Sequence, residues 1–254
     1  MSNFQNGAAI VFGATGGIGC SVCLALAQAG SDVAIVWRSK QKEAIALKGQ
    51  IEALGRRASL HQCDVLTDGA SQAAIGDAVR HHGQLHTLVW GAGPLVQQVH
   101  IGETPRDQWR VAIDVEVHGF FDATKATIDH MRNKGGSIIH LGSAGDLRWP
   151  DKDVLSVAPK AVNESLVKGI AREEGKNNIR ANSVLIGVIE AGMFLELSAQ
   201  GVFDEAWVED VQKNLALKRW GQPEEIGHAV VFLASEKAAY ITGQQISVAG
   251  GYGI

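Results

Sequence analysis

What the 254-residue chain lacks narrows its function first. No apolar stretch approaches the ~20 residues that a membrane-spanning helix needs, and Met1 to Gly7 show no charged segment followed by an apolar one. The expectation is a cytoplasmic protein with no membrane partner. There is no long basic run and the net charge is -4, so nothing suits a nucleic-acid backbone or an anionic lipid surface. Cysteines number three. Cys20 and Cys23 form a Cys-x-x-Cys, but they fall inside a predicted helix with Cys63 as the one further thiol, so they read as small buried hydrophobes and no metal site is expected. No internal repeat is visible.

What is present is organised around one stretch. The apolar run Ala9-Ile10-Val11-Phe12 feeds the turn Gly13-Ala14-Thr15-Gly16-Gly17-Ile18-Gly19, and Cys20 to Ala29 reads as an amphipathic helix closed by Gly30. Glycines at 13, 17 and 19 let the backbone turn tightly and bring the first helical N-H groups against a diphosphate, where the helix dipole favours an anion. A plain strand-to-helix turn is the bland alternative, and the βαβ flanks favour a dinucleotide site. A second strand, Asp32 to Trp37, ends where an acid would hold the ribose hydroxyls of NAD. Trp37 occupies that place and Arg38 follows, which favours NADP(H) over NAD(H). Strands alternate with helices to the end of the chain, and the 46% hydrophobic fraction can fill one sheet covered on both faces. The expected fold is a single α/β domain over 1-254, a Rossmann-type doubly wound parallel sheet.

The spacing Gly-x-x-x-Gly-x-Gly resembles the short-chain dehydrogenase/reductase family. So do Asp64-Val65, Gly91-Ala92-Gly93, Ile179-Arg180-Ala181-Asn182, the run from Arg219 to Glu225, Ile241-Thr242-Gly243-Gln244 and Gly250-Gly251. Within the family the chain is similar to 3-oxoacyl reductases and 3-hydroxyacyl dehydrogenases. The resemblance implies cofactor contacts from Gly13, Thr15, Gly17, Ile18 and Gly19, from Asp64 and Val65 beside the adenine, and from Ala92, Gly93, Lys160, Gly187 and Ile189. It also places Ser143 as the carbonyl-orienting serine and Lys160 as the lysine of Tyr-x-x-x-Lys.

The departures cluster at the other end. Ser156 stands where the family has its tyrosine, Glu116 where it has the asparagine of its tetrad, Ile186 for a proline and Ala191 for a threonine. The longer Tyr-(x)6-Lys spacing of the enoyl reductase branch falls on Asp153. Tyr240 and Tyr252 are expected elsewhere in the fold. Since proline is tolerated in a helix's first turn, Pro159 predicts a helix starting near Ser156, with that serine as its N-cap. Glu116 and Lys160 are expected to meet as an ion pair.

The first functional expectation is therefore a non-catalytic subunit that assembles with a homologous active chain. The alternatives are an NAD(P)(H)-dependent oxidoreductase, or a repurposed dehydratase- or isomerase-like enzyme, using Ser143, Glu116 or Ser156 in place of tyrosine, and an NADP(H)-binding sensor. Cofactor binding is expected to be weak or absent. A homo- or hetero-oligomer, a dimer of dimers, is expected through the helices at 105-131 and 156-175. The apolar-rich stretch 194-217, within a variable segment at about 190-217, is expected to be a substrate lid or a partner surface.

Overall fold

The computed structural model describes residues 4-254; Met1-Asn3 lie outside the described residues, as does the part of the leader expectation that rests on them. Seven parallel strands form one sheet in the order β3-β2-β1-β4-β5-β6-β7. They are β1 (Ala8-Phe12), β2 (Asp32-Trp37), β3 (Ala58-Gln62), β4 (Leu85-Trp90), β5 (Gly136-Ser143), β6 (Ile179-Ile186) and β7 (Gln245-Val248). Every residue of β1, β2 and β4 is buried, which is why these strands read as unbroken runs rather than alternating ones.

Successive residues feed opposite cores because side chains alternate along a strand. Val11 and Val89 pack with α1 (Gly17-Gln28) and α9 (Pro223-Ala234); Ile10, Phe12 and Trp90 pack with α5 (Gly119-Met131) and α6 (Val154-Glu174). The helices α2 (Gln41-Ala53), α3 (Ala70-His82) and α4 (Arg106-Ile113) complete the two layers. Strand order reverses between β1 and β4, and a crevice opens there at the carboxyl ends of the strands.

Two helices differ from expectation. The rod predicted over 105-131 is interrupted by a π-turn at Asp114-His118, between α4 and α5. Gly119 follows it because a Cβ there would come within 2.8 Å of the Trp90 ring. Second, α6 starts at Val154, so Ser156 lies within its first turn and is not its N-cap; Asp153 precedes the helix. Pro159 is thus inside the helix, where it denies the Leu155 carbonyl its usual N-H partner. The early turn is held by packing instead: Val154 and Leu155 bury against Val96 and Ala112. The segment 190-217 forms α7 (Met193-Ala199) and α8 (Glu205-Lys213) over the crevice.

Candidate active site

The crevice is one end of a cavity of about 1020 Å³ that runs from the glycine turn to the helices above it. At its nucleotide end, Gly13 has φ +74°, and a side chain there would overlap the Gly91 backbone. A Cβ on Gly17 would lie 2.6 Å from the Gly192 nitrogen. Among the described residues no side chain caps the N-terminus of α1, so its first N-H groups face the cavity unclaimed by a side chain. This cradle fits a dinucleotide diphosphate. Thr15, Ile18 and Gly19 line it, as do Val65, Ala92 and Gly93 across the crevice and Gly187 and Ile189 beyond β6. Arg38, Ser39 and Lys40 form its far wall, all exposed. Lys40 lies 3.7 Å from Glu196 of α7, so the upper helices reach across this end. Asp64 does not line the cavity: its carboxylate accepts from the Leu66 N-H, 3.1 Å away, within its own turn.

Further along, Glu116, Ser143, Ser156 and Lys160 line the same cavity, with Glu116 and Lys160 beside Gly93. Lys160 donates to Glu116 Oε1. The carboxylate is buried and the lysine side chain is 18% exposed, so the pair satisfies a charge that would be costly alone. Gly93 makes room for it, since a Cβ there would lie 2.6 Å from the same carboxylate oxygen. The π-turn sets the position of Glu116. Asn163 Nδ2 donates to the Glu116 carbonyl at 3.0 Å and lies 3.3 Å from His140 Nε2. His140 Nδ1 is 2.9 Å from Glu164 Oε1 in turn. Burial pushes the Glu164 carboxyl up, but His140, Ser183 and Gln245 hydrogen bonds outweigh it and hold the group below its ordinary value. This buried polar chain was not foreseen. Its residues carry no sequence motif, and only the β5-α6-β6 packing brings them together.

Two more residues join that group in the cavity. Asp153 lines it, with Oδ1 accepting from Gln98 Nε2 at 3.0 Å; burial pushes its carboxyl up, against that bond and the Lys160 charge. Tyr252 lines it too, correcting the expectation that both tyrosines lie elsewhere; Tyr240 alone is fully exposed. Burial raises the Tyr252 phenol, and Arg148 sits 6.0 Å from its ring centre. That is the wrong direction for a phenol that must lose its proton near neutrality. Phe203 and Trp207 stack at 4.0 Å with Phe194 beside them, and all three line the cavity.

A family profile described as "Enoyl-(Acyl carrier protein) reductase" matches residues 13-253. The 3-oxoacyl-[acyl-carrier-protein] reductase of Staphylococcus aureus is 35% identical over 244 residues, 96% of each chain. The chain belongs to the short-chain dehydrogenase/reductase family. An L-rhamnose 1-dehydrogenase (NAD(P)(+)) of Sphingomonas is 32% identical over 99% of this chain and 98% of that one. Among solved structures, a short-chain dehydrogenase/reductase of Serratia marcescens superposes with a TM-score of 0.90 at 30% identity, covering 99% of this chain and all of that one. A 7α-hydroxysteroid dehydrogenase with NADH and a 7-oxo bile acid gives 0.88 at 25% identity, over 99% of this chain and 96% of that one. Fold and family therefore agree with the sequence reading. Among the described residues no helix is long and apolar enough to cross a membrane.

Proposed function

We propose that this short-chain dehydrogenase/reductase is a cytoplasmic NADP(H)-dependent oxidoreductase acting on a carbonyl or hydroxyl group of an apolar compound, with a ligand end rebuilt around carboxyl groups. One observation carries the reading: a single continuous cavity joins the glycine cradle to Ser143, Ser156, Lys160 and two carboxylates, beside the aromatic cluster of Phe194, Phe203 and Trp207. A chain kept only for assembly needs no such cavity. When bound, the cofactor supplies or accepts hydride; Arg38 and Lys40 would hold a 2′-phosphate by charge. Ala191 offers no hydroxyl to the nicotinamide side, which favours modest affinity. The test is oxidation of NADPH by the purified chain with 3-oxoacyl thioesters, cyclic ketones and aryl ketones, and reduction of NADP+ with the matching alcohols. Turnover is expected with an apolar member; none with any member would overturn the reading.

A second reading is a non-catalytic subunit beside a homologous active chain, and the Lys160-Glu116 pair favours it, because an occupied ammonium cannot tune a phenol. Both readings fit assembly through α4-α5 and α6, where Val111, Phe121 and Val162 remain exposed. Co-purification with a homologue carrying Tyr-x-x-x-Lys, with activity restricted to the mixed oligomer, would select this second reading.

A further inference from the structure

We propose that Asp153 is the group that gives a proton to, and takes one from, the oxygen of the ligand in this cavity. The proposal rests on the oxidoreductase reading above. Asp153 immediately precedes α6, Ser156 and Lys160 lie in its first two turns, and all three line the cavity. An aspartate just before a helix ordinarily accepts from the N-H groups of the first turn. Asp153 makes no such bond. Its side chain turns to Gln98 instead, and among the described residues Oδ2 makes no hydrogen bond. A carboxyl group is thus held by one oxygen with the other left for a ligand.

The neighbouring charges suit a carboxyl that keeps its proton. Lys160, on the same helix, would hold it ionised, but Glu116 from the π-turn takes up that ammonium. Burial then prevails and raises the group. Among the described residues, the cavity lining also holds the titratable or charged groups Tyr252, Arg148, Asp151, Lys152 and Asp210. Of the other hydroxyls there, Ser143 and Ser156 are aliphatic and far weaker acids, and the phenol of Tyr252 is raised. Glu116 and Asp153 therefore work as a pair of changes: one neutralises the lysine, and the other takes over the proton.

In the reducing direction, bound NADPH would supply hydride to the carbonyl carbon while the C=O π pair moved to oxygen. That oxygen takes the Asp153 proton as the acid's O-H bond breaks, and the carboxylate is reprotonated from solvent. Oxidation runs the same transfers in reverse.

The test combines infrared titration of the ligand-free protein with turnover on the ketone panel, for the wild type, Asp153→Asn, Asp153→Glu and Glu116→Gln. The wild-type-minus-Asp153→Asn spectrum should show a carboxylic acid band persisting above the ordinary aspartate range of about 4. Asp153→Asn should lower kcat by ~10² to 10⁴-fold with NADPH affinity by calorimetry unchanged, and Asp153→Glu should recover part of it. Glu116→Gln frees the lysine charge, so it should shift both the band and the pH limb of kcat to lower pH together, which a structural role would not do. Ordinary ionisation of Asp153, or reduction by Asp153→Asn at the wild-type rate, overturns the proposal alone. No turnover by the wild type overturns the oxidoreductase reading, and the proton role with it. Should Asp153→Asn not fold, Asp153→Glu and Glu116→Gln still decide through the band and the pH limb.

Discussion

The two ends of the cavity have been treated differently by the same sheet. At the nucleotide end the backbone does the work: Gly13, Gly17 and Gly91 leave no room for side chains, and the cradle is made of main-chain groups. At the ligand end the backbone frame is kept while its side chains are exchanged, with Glu116, Asp153 and Ser156 facing one space. Backbone sites tolerate few residue types, because any Cβ collides. Side-chain sites can be re-equipped on an unchanged frame, and there a family pattern stops being a guide to chemistry.

The comparison breaks most sharply at Gly13. Gly13→Val combines positive φ with overlap on the Gly91 backbone, so it should cost roughly 3-5 kcal/mol and abolish NADPH binding, read by thermal melting and calorimetry. Retained binding would show that the cradle is looser than its geometry. At the ligand end, Glu116→Ala strands a mostly buried ammonium and should cost about 3 kcal/mol in urea denaturation, with Glu116→Met/Lys160→Met recovering most of it. If the single variant is neutral, the pair does not hold this end together.

Acid should act on the nucleotide side of the sheet. Burial pushes His61, His82 and His86 down to about 4, so all three are neutral in the fold at pH 7. The unfolded chain takes up these protons near 6.5, which the fold refuses until about 4; their contribution to stability is present above 6.5 and lost as pH falls between those values. Urea midpoints measured across that window should fall, and His86→Gln should reduce the slope.

Two smaller effects sharpen the contrast. Arg38→Ala should weaken NADPH binding about tenfold, about 1.4 kcal/mol, and leave NADH unchanged; equal losses would refute a 2′-phosphate role. Glu196→Ala removes an exposed ion pair with Lys40 and should change stability by less than about 0.5 kcal/mol.

Sequence reading recovered the sheet and the cradle because both rest on local patterns: apolar runs, a glycine turn and alternating helices. It also placed the Glu116-Lys160 meeting, since both residues sit at family positions. It mistook Ser156 for a cap, because the proline rule weighs one lost hydrogen bond and does not see Val154 and Leu155 finding a core. Asp153 was met only as a position where no tyrosine stands. Its meaning lies in Gln98, 55 residues away, and in a partial burial that no spacing reveals. Tyr252 reaches the cavity from the last strand's far end, a contact created by tertiary folding alone.

The π-turn makes position 116 sensitive to chain length as well as to residue type. It accommodates one residue more than an α-turn, and each residue of an α-helix rotates the chain by about 100°. Deleting a single residue within 114-118 would close the π-turn into an ordinary α-turn, leaving α4 and α5 in phase while re-aiming the side chains of the turn itself, Glu116 among them. A reading-frame-preserving deletion of three nucleotides would thus spare the helical frame here and undo the Glu116-Lys160 pair instead.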